Sequence, residues 1–86
     1  MNWLSIFTTT FRRGYRRLDK PVQEKVDLAI ENLSAAEAPS GLGHKLHGRW
    51  EGALSYEIGR QHRIIYMVNF KQKTIVFLAV GTHKIY

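Results

Sequence analysis

The sequence predicts one α+β domain: an N-terminal strand, a two-helix hairpin and a three-stranded antiparallel meander, in the order β-α-α-β-β-β. Three observations carry this. Eighty-six residues make a single domain of modest core. Apolar residues recur every three or four positions from Phe7 to Leu33, the spacing of one helix face. From Trp50 onward they alternate with a period of two between short polar connections, the pattern of neighbouring strands.

Residues 2–8 read as the first strand, with Asn2 and Ser5 interrupting an apolar segment that includes Trp3 and Phe7. The run Thr8-Thr9-Thr10 supplies hydroxyls to cap the helix that follows. In that helix Phe7, Phe11, Tyr15 and Leu18 form the apolar stripe, and Arg12, Arg13, Arg16 and Arg17 fill the outer face. Gly14 costs this helix about 1 kcal/mol relative to alanine and leaves room for a close approach. Asp19-Lys20-Pro21 opens the second helix, with proline suited to its first position. Val22, Val26, Ala29, Ile30 and Leu33 form its buried face, Glu24, Lys25, Asp27 and Glu31 its wet side, and it ends near Ser34–Glu37 ahead of Pro39.

Pro39 to Gly43 is a loop, and His44 to Gly48 either continues it or begins an edge strand. Leu54, Tyr56 and Ile58 then alternate with Ala53, Ser55 and Glu57. Gly59-Arg60-Gln61 fits a hairpin connection. Ile64, Tyr66, Val68 and Phe70 alternate next, and apolar Ile65 and Met67 on the other face mark this strand as central and covered on both sides. Lys71-Gln72-Lys73 is a turn. Thr74 to Val80 is the last strand, with Ile75, Phe77 and Ala79 expected on one side, and Gly81 to Tyr86 is a tail. Packing the helical hairpin on one sheet face leaves the other open to a ligand. Trp50 and Tyr66 are most simply core residues.

The formal net charge is +6. Residues 1–43 carry six Lys/Arg against five Asp/Glu, and residues 44–86 seven against two, so the positive field belongs to the second half. Such a field favours a polyanion or an acidic protein partner. There is no cysteine, hence no disulfide and no thiolate ligand, as suits a reducing compartment. The apolar stretch within residues 1–11 lacks a preceding basic segment and is too short for a secretion signal. No segment approaches the ~20 apolar residues of a membrane span. A cytoplasmic protein without membrane contact is expected.

All four histidines lie in this basic half, each beside a cation or an amide: His44 by Lys45, His47 near Arg49, His62 between Gln61 and Arg63, and His83 by Lys84. Histidine changes charge near neutral pH, and arginine holds phosphates. A metal site from His44, His47, His62 and His83 is disfavoured: the first pair sits in a glycine-rich loop, no aspartate accompanies the cluster, and the surroundings are cationic. No cofactor is expected. Metal-free cleavage of RNA fits better. It needs a base for the 2′-hydroxyl proton, fixed cations for the phosphorane oxygens and an acid for the departing 5′-oxygen. Histidines serve as base or acid, Arg60 and Arg63 as clamps, and Tyr86 as a stacking or proton-transfer group. Glu57 is either a second base or a strand salt-bridge partner. Arg63 and His83 sit side by side if their strands are neighbours. Bland readings stand beside these: His47 and His62 as exposed surface residues, His83 as a group bonding only to backbone, and the arginines of the first helix as a solvated face or a contact for ribosomal RNA or an acidic partner.

The segments His44-Lys-Leu46-His-Gly48-Arg-Trp50, Tyr56-Glu-Ile58, His62-Arg63-Ile-Ile-Tyr66 and Val80-Gly81-Thr82-His83-Lys-Ile-Tyr86, in this order and spacing, resemble the RelE/ParE toxin superfamily over nearly the whole chain. The Leu-x-Gly-x-Trp segment and the terminal Gly-Thr-His look most like the YafQ and YoeB branches. That resemblance implies a RelE-like fold and a type II toxin: a ribosome-dependent mRNA interferase that cuts mRNA in the ribosomal A site, touches ribosomal RNA and is neutralised by a cognate antitoxin, acidic in its toxin-binding part. It implies catalytic roles for His44, His83 and Arg63, with Tyr86 as the terminal aromatic and Glu57 where YafQ-like chains carry another histidine. Lys45, His47, Arg49, Arg60, Gln61, His62 and Lys84 would contact substrate. Gln61 replaces an aspartate of the YafQ-like pattern, and Ser40 stands near the glutamate of the YoeB-like one. His44 is the first choice for base and His83 for acid, and the reverse assignment stays open. The alternative within the superfamily is a ParE-like inhibitor of DNA gyrase without nuclease activity.

Overall fold

The hydroxyl of Thr8 joins the first strand, the first helix and the last strand at one point. The computed structural model describes residues 2–85. Among them are strands β1 (Leu4–Phe7), β2 (His44–Lys45), β3 (Leu54–Ile58), β4 (His62–Asn69) and β5 (Thr74–Thr82), with helices α1 (Thr9–Arg16) and α2 (Lys20–Ala35) between β1 and β2. Short 3-10 turns cover Pro39–Leu42, Gly48–Trp50 and His83–Ile85. The sheet order is β1-β5-β4-β3-β2, with β1 parallel to β5 and the other pairs antiparallel. The helical hairpin is therefore the crossover that lets the first strand join the last.

The order expected from the sequence counts four strands and leaves His44 to Gly48 open between loop and edge strand; the sheet has a fifth strand there. His44 and Lys45 pair with Ser55 and Leu54 and form its far edge. Two residues offer no periodicity to read. Helix α1 starts as its composition predicts: the Thr8 side chain accepts the amide hydrogen of Phe11 at 3.1 Å. Asp19 is the N-cap of α2, which begins at Lys20, so Pro21 falls at its second position. Gly59 adopts φ +62° in the hairpin joining β3 to β4.

Both helices pack on one sheet face. Phe11, Val26, Ala29 and Leu33 meet Leu54, Ile58, Ile64, Tyr66, Ile75, Phe77 and Val80 in the main core. Phe77 anchors it: its ring stacks on Phe7 at 5.2 Å and lies 5.7 Å from Phe11 and 6.4 Å from Tyr66. Burying each such side chain contributes about 1.5–3 kcal/mol. Tyr66 is fully buried, and its hydroxyl donates to the Pro39 carbonyl at 2.8 Å, tying the loop before β2 to the sheet. Burial, aided by neighbouring Tyr56, pushes the Tyr66 phenol up to about 12.

The last strand departs from the expected alternation. Tyr66 pairs with Phe77 and Ile65 with Ala79, so Leu78 is an extra residue without a partner in β4. This bulge keeps Ile75, Phe77 and Val80 in the main core and moves Ala79 to the opposite face. Thr8 holds it: its amide donates to the Phe77 carbonyl at 3.1 Å, and its hydroxyl lies 2.8 Å from the Leu78 carbonyl and 3.3 Å from that of Phe77. Gly14 brings α1 against the strand past the bulge, where any Cβ would strike the Val80 carbonyl.

The face opposite the helices is less open than the sequence implies. Residues 46–53 turn back over it, with the Leu46 amide bonded to the Ala53 carbonyl at 3.0 Å. Leu46, Trp50, Leu78 and Ile85 pack on buried Ala53, Ile65 and Ala79 as a second, smaller core. Trp50 thus belongs to this outer cluster and not to the main core. Among the described residues no helix is long and apolar enough to cross a membrane.

Replacing Thr8 by valine removes the cap and the bulge contacts and should lower unfolding free energy by about 1–2 kcal/mol in a urea titration. Gly14→Ala should also destabilise: the ~1 kcal/mol gain in helix propensity is outweighed by a clash with backbone, which has no free rotamer to yield. Because the Tyr66 pKa is raised in the folded state, its contribution is complete below about pH 10 and lost as pH rises from 10 through 12. Wild type should therefore lose stability relative to Tyr66→Phe across that window, as followed by denaturant midpoints.

Candidate active site

Cross-strand register builds the site. Glu57 of β3, Arg63 of β4 and Gly81 of β5 are successive partners across the sheet. Since alternate residues of β4 face opposite ways, Arg63 shares the outer face with Ile65, while His62 shares the helix side with Ile64. The Arg63 Nη2 lies 3.3 Å from the Glu57 carboxylate and 3.4 Å from His83 Nε2, and its Nη1 donates to the His62 carbonyl at 3.1 Å. Its side chain is only 11% exposed, against 54% for Glu57. The cation is held in place while the carboxylate stays in reach of solvent. Guanidinium has no acceptor, so the 3.4 Å contact requires the lone pair on His83 Nε2.

Gly81 makes this meeting possible. The position opposite Arg63 carries no side chain, and a Cβ there would crowd the Ile85 methyl at 2.7 Å. The 3-10 turn after β5 then returns His83 toward the arginine. The sequence holds a glycine here, but its function shows only in the strand pairing.

Other candidates are dispersed. His44 faces outward opposite Ser55, one strand beyond Glu57 and two from Arg63, or roughly 10 Å in strand spacings. Lys45 pairs with Leu54 and so takes the helix side. His47 lies 4.0 Å from Glu51, both well exposed. Arg49 covers the Trp50 ring at 5.7 Å. Arg60 and Gln61 are exposed in the β3–β4 turn. His62 is half-buried and pairs with Ile58 and Thr82, which corrects the expectation of one histidine surface: it lies through the sheet from Arg63. Lys84 is exposed beside His83. Tyr86 lies outside the described residues. Among the described residues no group of three or more His, Cys, Asp or Glu is placed to hold a metal ion.

A family model described as the ParE toxin of the type II toxin–antitoxin system parDE matches residues 5–85. The chain belongs to the ParE toxin family. ParE-family membership and the fold place it in the RelE/ParE superfamily. It is 26% identical to a chain in the RelBE2 toxin–antitoxin complex from Mycobacterium tuberculosis, covering 96% of this chain and 100% of that one at a TM-score of 0.83. A YoeB/ParE toxin from Agrobacterium tumefaciens is 25% identical, covering 93% and 98% respectively, at a TM-score of 0.76. The archaeal RelE–RelB complex from Pyrococcus horikoshii, 22% identical with 95% and 96% covered, shares the fold at a TM-score of 0.75. No curated protein sequence matches the chain. This ParE-family member has the superfamily's two helices over a five-stranded mixed sheet.

Proposed function

We propose that this toxin is a metal-independent endoribonuclease acting on mRNA at the ribosome, and that Glu57, Arg63 and His83 carry the reaction. The observation behind it is the Arg63 guanidinium shared between a carboxylate at 3.3 Å and an imidazole at 3.4 Å. A phosphodiester drawn to Arg63 has a base on one side and an acid on the other. Glu57 takes the 2′-hydroxyl proton, and the 2′-oxygen attacks the adjacent phosphorus. Arg63 neutralises charge on the phosphorane oxygens. His83, released from Arg63 by the phosphate and protonated, gives its proton to the departing 5′-oxygen. The products are a 2′,3′-cyclic phosphate and a 5′-hydroxyl. DNA lacks the attacking group.

This reading moves the base from His44 to Glu57, because Glu57 is Arg63's direct partner while His44 stands on the sheet edge. His44 then serves the approach of the RNA, along with Arg49, Arg60 and Lys84, while Lys45, on the helix side, has no part in it. The toxin acts in the cytoplasm and is neutralised by a cognate antitoxin, an acidic chain matched to the +6 charge. The similar M. tuberculosis chain occurs in a toxin–antitoxin complex, and the P. horikoshii one in a RelE–RelB complex.

The family description names ParE, and the second reading is the ParE-like one that the resemblance implies, inhibition of DNA gyrase without nuclease activity. A translating extract separates the two. Codon-localised mRNA cuts should appear with the native chain and fall about 10²–10⁴-fold with Glu57→Gln, Arg63→Ala or His83→Ala. Intact mRNA together with blocked gyrase supercoiling would refute the nuclease.

A further inference from the structure

Beside the candidate site, a groove of about 710 Å³ runs along the last turns of β5. It exists because β1 pairs with β5 only as far as Phe77, and α1 flanks the strand beyond that point. Arg17, Arg49 and Lys84 converge on it, and among the described residues Asp19 is the one carboxylate in its lining. Trp50 forms part of the wall. Its Nε1–H is shielded from solvent and finds no acceptor among the described residues. A buried donor without a partner costs about 1–3 kcal/mol.

The groove is continuous with the reaction line. Glu57, Arg63 and Gly81 are successive cross-strand partners, and Gly81 lines the groove. A strand of RNA crossing from β3 over β4 to β5 therefore runs into it. Its volume suits one nucleotide, its cations suit a phosphate, and the Arg49–Trp50 pair, 5.7 Å apart, is a stacked cation and ring of the kind single-stranded bases use.

We propose that this groove is the subsite for the nucleotide on the 3′ side of the cleaved bond, with Arg17 binding that nucleotide's own 3′-phosphate and the Arg49–Trp50 wall meeting its base. The polarity rests on the interferase reading. His83 protonates the 5′-oxygen that leaves, that oxygen belongs to the 3′ nucleotide, and His83 stands at the β5 end of the line next to the groove. Arg17 does not stand out in the sequence, being one of four arginines on a polar helix face, and Trp50 reads there as a core residue within the Leu-x-Gly-x-Trp segment.

The test compares two fluorescein-labelled oligoribonucleotides, each 2′-deoxy at the attacking position so that no cut occurs. One ends in a 3′-phosphate at the scissile position, and the other carries one further nucleotide with its own 3′-phosphate. By anisotropy, the extension should tighten binding to the native chain about tenfold. Arg17→Glu should abolish that gain, Arg63→Ala should weaken both probes alike, and Arg13→Glu, the same charge change at an exposed position outside the groove, should retain the gain. No gain on extension overturns the proposal, as does a gain that survives Arg17→Glu or is lost equally in Arg13→Glu. Arg17-dependent affinity for a polyglutamate peptide, with none for the added nucleotide, assigns the groove to an acidic protein and also overturns it. Because the readout is binding, an Arg17-dependent gain without any mRNA cleavage leaves the groove as a nucleotide site and removes the cleavage reading together with the 3′ polarity that rests on it.

Discussion

The Thr8 hydroxyl is the small constraint on which the rest depends. It accepts from Phe11 to start α1 and reaches the two carbonyls that a bulge in β5 exposes. A regular strand would put Ala79 on the same side as Phe77, Val80 with the outer face, and Gly81 away from Arg63. The inserted Leu78 reverses the alternation midway. One half of β5 then serves the main core through Ile75 and Phe77, and the other half presents Gly81 and His83 to the site. A glycine opposite Arg63, and a histidine within reach of it, both follow from that one extra residue.

The contacts around Arg63 place groups more than they stabilise the fold. Glu57 is half-exposed, so its ion pair with Arg63 is worth about 0–1 kcal/mol at most. The stability comes from Phe77 and its ring neighbours on the other side of the sheet. The same strands thus carry two loads on opposite faces: a dense aromatic core beneath the helices, and above it the trio of Glu57, Arg63 and His83, of which Glu57 and His83 are exposed to water. The trio can exchange partners when a phosphate arrives without disturbing the core.

Much of this architecture is legible in the sequence. The apolar spacing from Phe7 to Leu33 marks both helices, the threonine run marks the cap, and Gly59-Arg60-Gln61 marks the hairpin, because each is a local property of backbone and side chain. The pairing of Arg63 with His83 is likewise foreseeable once their strands are taken as neighbours. What escapes is set by long-range register. The His44–Lys45 strand is too short to have a period, so the sequence leaves it open between loop and edge strand. The bulge is invisible because Leu78 is as apolar as a regular strand residue. The cover formed by residues 46–53 depends on Leu46 and Trp50 finding Ile65 and Ala79 across the sheet. His62 and Arg63 are adjacent in the chain yet separated by the sheet, and His44 is held off by the thickness of one intervening strand.

The contact between Thr8 and Leu78 spans seventy positions of the chain. Strands β2 to β5 are joined by short turns and can pair through neighbours in sequence, whereas β1 must find β5 by closing almost the entire chain into a loop. The entropy of that closure is met before its contacts return anything, so the step belongs late in folding. Glu57, Arg63 and His83 all lie in the part that forms from near neighbours. The clamp that fixes their spacing arrives last, from the opposite end of the polypeptide, so the chemistry waits on completion of the whole topology.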